Sequence, residues 1–208
     1  MLAIDIMKKQ IFLLDILLRK TRKISIFFSF VFLLNPSIVF ADERWFLDKE
    51  LSLITFELPV LLAKNVQGTF TNIEGFVELD VDHKKNNKAI FSVDIGSINM
   101  NYIKYKDLLL SNIFFDERQF PKAVIDTKKF AYQNQEELEI NVELIIKGQS
   151  KMVPLNITVK RLAEELVQIQ SELIFSRTDF NIGIGKWSNT TILRDKTKIK
   201  TNLFLFKE

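Results

Sequence analysis

The sequence predicts a single all-β domain, either a sandwich or a closed barrel, and three observations carry that expectation. Past residue 42 the apolar side chains recur with a period of two, polar turn segments separate the runs, and one stretch alone switches to helical spacing. In order along the chain, Ser52, Ile54, Phe56 and Leu58 alternate with Leu53, Thr55 and Glu57. Val66, Gly68 and Phe70 alternate with Gln67, Thr69 and Thr71, and Val77, Leu79 and Val81 oppose Phe76, Glu78 and Asp80. The clearest run lies at 139–147, where Ile140, Val142, Leu144 and Ile146 face one way. Further strands are expected at 89–95, 123–130, 153–160, 166–175 and 196–206, about nine in all. Turns are expected at 82–88, at 134–137 and at 147–151. The helical exception is 102–120, where Tyr105, Leu108 and Leu109 share a spacing that fits one or two turns of helix.

Composition narrows function before any motif is read. The 208 residues include no Cys and one His, which excludes disulfides, thiolate metal sites and cysteine nucleophiles and disfavours histidine relays. The net charge of +3 suggests nucleic acid, but its distribution argues against it. Residues 1–41 hold six basic and two acidic side chains, leaving 23 basic and 24 acidic in the body. That leader reads as an export signal: Arg19 to Lys23 form a basic cluster, 24–34 an apolar run, and Val39-Phe40-Ala41 a cleavage motif. Cleavage is expected after Ala41, with residues 42–208 delivered to the periplasm; an uncleaved N-terminal anchor is the competing reading. The apolar run is 11 residues long against the roughly 20 a membrane helix needs.

Few residues carry a signal for chemistry. His83 stands in a Lys/Asn-rich loop tip and reads as solvated. Residues 181–186, Asn-Ile-Gly-Ile-Gly-Lys, fail both glycine fingerprints and read as a bend. Arg177 with Asp179 reads first as an ion pair tying down a loop, and Lys106, Lys128 and Lys129 as a solvated face. A general base for lipid chemistry would have to come from Glu78, Asp107 or Asp179, which are not patterned with a second catalytic group, so no enzyme activity is expected. The informative feature is aromatic: of 19 Phe, 13 lie past residue 41, more than a small barrel needs merely to close. Those in the irregular stretch, with Leu108 to Leu110, suit an apolar pocket at a barrel mouth.

Taken together, several motifs resemble the YceI-like family of exported lipid-binding barrels. The resemblance rests on Trp45 to Phe56, on Val66-Gln-Gly68-Thr-Phe70 with Gly75, and on Ile95-Gly-Ser97-Ile98. It continues through Lys106-Asp107, Phe114-Phe115-Asp116 and Phe120-Pro121, then Lys147-Gly148 with Pro154, and ends at Ser176-Arg177-Thr-Asp179-Phe180. It departs from the family pattern at Leu51, Lys106, Leu109 and Ile125, which replace His, Arg, His and Phe and make the site more apolar. The resemblance implies one lipocalin-like antiparallel barrel of about eight strands, with a short helical insert near 102–115. Its interior would hold a long-chain polyisoprenoid or isoprenoid quinone, with no other cofactor or metal. Ile54, Phe56, Phe70, Ile95, Val142, Leu144 and Phe175 would form the wall, and Leu108, Phe114 and Phe115 the mouth. Lys106 and Arg177 are the expected head-group residues. Some relatives resemble partners of membrane b-type cytochromes, which makes quinone handling in electron transfer the alternative function. Leu203 and Leu205 against Phe204 and Phe206 suggest either a homodimer contact or a last strand buried on both sides.

Overall fold

Among the described residues, eleven strands of one antiparallel sheet close on themselves, and their pairing reduces to a simpler figure. The computed structural model describes residues 43–59, 65–80, 82–100 and 102–207. The leader, its cleavage site and Val81 lie outside the described residues. The strands are β1 (Glu43–Leu47), β2 (Leu53–Leu58), β3 (Val66–Phe70), β4 (Ile73–Leu79), β5 (Lys88–Asp94) and β6 (Ile98–Met100). After helix α1 (Ile103–Leu110) follow β7 (Lys122–Asp126), β8 (Glu137–Ile146), β9 (Gln149–Ala163), β10 (Leu166–Ser176) and β11 (Lys196–Lys207). β1 pairs with β4 and β11, whereas β2 pairs with β3 and with an earlier stretch of β11. β1 and β2 are therefore two halves of one broken strand, as are β3 and β4, and β5 and β6. Counted that way, the chain is an eight-stranded up-and-down meander closed between its first and last strands.

The alternation read from the sequence sets which face looks inward. Ser52, Ile54, Phe56 and Leu58 are all buried, and so are Val142, Leu144 and Ile146 on β8, with Val153 opposite Val142 and Leu155 opposite Ile140. The β8–β9 hairpin turns on Lys147 and Gly148, whose φ of 50° and 70° suit a type I′ turn and its right-handed twist. At the end of the chain Leu203 and Leu205 point inward at 5% and 0% exposure, while Phe206 is 41% exposed outside. The last strand is thus buried on one face.

Two strands are not marked by the period of two. β1 is covered only by the family resemblance over Trp45 to Phe56, because the break after it, 48–52, interrupts the alternation. Asp48 holds that break by accepting from the N–H groups of Glu50 (2.8 Å) and Leu51 (3.0 Å). The Ser52 hydroxyl then accepts from the Phe204 N–H at 2.9 Å, filling a rung that the bulge removes from the ladder. Ser52→Ala would leave that N–H without its partner, and urea unfolding should show a loss of about 1–2 kcal/mol. β6 has three residues, too few for a period of two to register.

One end of the barrel is stoppered. α1 and the turns after it pack there with the 177–193 loop, joined by bonds from the Gly183 and Ile184 N–H groups to the Ile113 carbonyl (2.9 and 3.1 Å). Lys147 Nζ ties both pieces down, donating to the Asn112 and Asn181 carbonyls at 2.6 and 3.0 Å. Leu109 and Phe114 are 5% and 2% exposed, so the segment expected at an open mouth is a plug.

Candidate functional site: a two-chambered apolar lumen

Inward-facing side chains leave two chambers in line along the barrel. The one under α1, about 80 Å³, is walled by Ile54, Phe56, Phe70, Ile95, Leu144 and Phe175, with Phe114, Phe115 and Leu109 at its closed end. The other, about 120 Å³, lies toward the 161–167 hairpin and is bordered by Trp45, Val77, Phe130, Tyr132, Leu155 and Arg161 among others. Ile54, Phe91, Ile125 and Thr201 border both, and so form a waist between them. The chambers are small beside ordinary ligand pockets of several hundred Å³, so a long chain enters only where side chains swing off the wall.

Glycines keep the aromatic walls thin. A Cβ on Gly68 would meet the Phe56 ring at 2.6 Å, and one on Gly75 would meet Phe91 Cδ1 at 2.1 Å. In each cross-strand pair the ring lies flat where the glycine has no side chain. Large apolar rings therefore line the lumen without filling it.

Most of the expected wall residues do border a chamber, while four expected site residues do not. Val142 is fully buried between Ile140 and Leu144 but borders neither space. Leu108 and Lys106 are half-buried on α1, outside both linings. Arg177 is the clearest correction. It is 0% exposed, and its guanidinium donates to the carbonyls of Ile182 (2.7 Å), Gly183 (3.2 Å), Leu193 (2.7 Å) and Arg194 (3.1 Å). Burial pushes its pKa down, and Asp195 is the carboxylate whose charge opposes that. The expected loop-fixing role is real, but the partners are main-chain carbonyls and not Asp179. Leu51 is 54% exposed at the break in the first strand, so that departure from the family pattern does not alter the lumen; Leu109 and Ile125 do border it.

Ionisable chemistry is sparse inside. No carboxylate, Lys or His borders either chamber among the described residues. Glu78 is paired with Arg44, and Asp107 and Asp179 are exposed. His83 is exposed beside Asp80, and no group of described His, Asp and Glu residues is placed to hold a metal. No helix among the described residues is long and apolar enough to cross a membrane.

The model of the YceI-like domain matches residues 45–205. This chain belongs to the YceI-like family. Several solved structures share its fold. Burkholderia cenocepacia BcnA superposes with a TM-score of 0.69 at 23% identity, covering 76% of this chain and 98% of its own. A polyisoprenoid-binding domain from Saccharophagus degradans, implicated in plant cell wall breakdown, gives 0.65 at 14% identity, covering 79% and 98%. A Campylobacter jejuni YceI protein gives 0.58 at 20% identity, covering 72% and 89%. Comparison with curated protein sequences gives no match.

Proposed function

We propose that this YceI-like chain is an exported binding protein that takes a long-chain apolar lipid, of polyisoprenoid or isoprenoid-quinone type, into its lumen. The observation that carries the reading is the continuity of two apolar chambers across one waist, closed at the α1 end and bordered by no carboxylate, Lys or His among the described residues. Such a tube gains about 0.8 kcal/mol for each methylene it removes from water. The polyisoprenoid-binding domain from S. degradans, with the same fold, supports the ligand class. The leader supports delivery to the periplasm, where a bare lipid of this length needs a carrier or a store. Quinone handling beside a membrane b-type cytochrome is the same reading with a redox-active head on the ligand.

The test is native mass spectrometry of protein purified from a bacterial periplasm, followed by denaturing extraction and lipid identification. A stoichiometric adduct of polyprenyl or quinone mass is expected. Phe56→Glu places a carboxylate in the α1-side wall, where an unpaired charge is strongly disfavoured beside a hydrocarbon chain, and should abolish the adduct. An apo mass that persists after incubation with a polyprenol panel, or full occupancy in Phe56→Glu, would refute the proposal.

A further inference from the structure

Polarity in the lumen is concentrated at one end. The α1-side chamber presents hydroxyls from Thr197 and Thr201 and is otherwise apolar. The far chamber is bordered by Arg161 together with Thr127, Tyr132, Ser171 and Thr201. Arg161 is the one charged residue in either lining among the described residues, and it is exposed while Tyr132 is half-buried. A side chain that borders the chamber and also meets solvent marks the accessible end, opposite the plug.

The groups around Arg161 are set to receive an anion. Its guanidinium lies 5.9 Å from the centroid of the Trp45 ring. Of its five N–H donors, the one bond formed among the described residues is Nη1 to the Glu164 carbonyl at 3.3 Å. Trp45 is 3% exposed, and its indole N–H has no acceptor at hydrogen-bonding distance among the described residues, although its interaction with the Glu43 carboxylate helps lower that group's pKa. Glu43 is itself bound by Lys207 Nζ at 2.8 Å, the main cause of its lowered pKa. The Glu43 carboxylate also feels the Arg161 charge, so two cations, Lys207 and Arg161, stand beside one carboxylate at this end. Burial raises the Tyr132 pKa and the Arg161 charge opposes the rise, so the phenol remains a neutral donor beside the guanidinium.

We infer that Arg161, Tyr132 and Trp45 form a head-group site for a lipid ending in an anionic oxygen group, a carboxylate or a phosphate. The chain runs from there through the waist toward Phe114. This rests on the lipid reading of the lumen and adds polarity, orientation and head-group charge to it. It also moves the head-group role from Lys106 and Arg177 to the other end of the barrel.

Two measurements on delipidated protein test it. Hexadecanoate, hexadecyl phosphate and hexadecanol share one chain length. At least one anion should bind about tenfold tighter than the alcohol, the scale of one charge-assisted hydrogen bond, and Arg161→Met should erase that difference. The tighter anion identifies the head as carboxylate or phosphate. Equal affinity for all three, or a preference that survives Arg161→Met, overturns the head-group site and leaves the lipid-binding tube standing. Failure of all three to bind overturns both. For orientation, Trp187→Phe leaves Trp45 as the sole tryptophan. Its fluorescence should be quenched by 2-bromohexadecanoate and spared by 16-bromohexadecanoate; the opposite pattern reverses the ligand, and quenching by neither removes the site.

Discussion

Arg177→Met should destabilise the protein by about 3–5 kcal/mol, the largest loss expected from any single substitution considered for this barrel. The side chain is 0% exposed, and four carbonyls of the 182–194 loop converge on its guanidinium. Methionine keeps the apolar stem but leaves those carbonyls facing a group that cannot donate, at about 1–3 kcal/mol for each that stays dry. Lysine is not a rescue. It restores the charge as a point and cannot reach four acceptors in a plane. The loop has little freedom to adapt, because Gly183 sits at a φ of 76° with its Cβ position 2.7 Å from Arg177 Nη1. Thermal unfolding should show a fall of about 10 °C for Met and a large fall for Lys. Ile182 borders the α1-side chamber, so a loosened loop also unseats the plug, and lipid occupancy should drop in the surviving folded fraction. Stability within 1 kcal/mol of the parent would mean that water replaces the guanidinium at those carbonyls.

How far the sequence could be read follows from what each signal encodes. A period of two reports which side chains share a face, as for Ile54, Phe56, Phe70 and Leu144, and the family resemblance then made that face the wall. It carries no information about height along the barrel axis, which depends on register between strands distant in sequence. Trp45 and Arg161 meet at one level only because β1 pairs with β11, β11 with β10 and β10 with β9. Arg161 also stands in a charged stretch, Lys160 to Glu165, that looks like any solvated hairpin. Arg177 was misread for a related reason. Sequence shows a cation and a nearby Asp, whereas the acceptors it uses are carbonyls, and every residue has one. Phe114 and Phe115 were correctly singled out as an apolar cluster on irregular chain, but whether such a cluster guards an opening or seals it depends on what packs over it.

Gly75→Val should leave a folded barrel that no longer holds a long chain. The Cβ position of residue 75 falls 2.1 Å from Phe91 Cδ1 and 2.7 Å from the Ile90 carbonyl, so the strand shifts by a few tenths of an ångström at the carbonyl while the ring has to move much further. The ring must therefore leave the wall. Phe91 borders both chambers, so the displaced ring swings into the waist and separates them. Overpacking of this kind costs about 1–3 kcal/mol, which a barrel of this size survives. Ligand binding suffers more. Excluding about five methylenes from the second chamber forfeits about 4 kcal/mol, roughly a thousandfold in affinity, while chains short enough for one chamber are unaffected. The double variant Gly75→Val with Phe91→Ala removes the ring that valine displaces, and should recover long-chain binding without restoring the glycine. Recovery would assign the defect to the blocked waist and not to a distorted strand. Undiminished long-chain affinity in Gly75→Val alone would show that the two chambers never act as one tube, and the lipid would have to lie within a single chamber or outside the barrel.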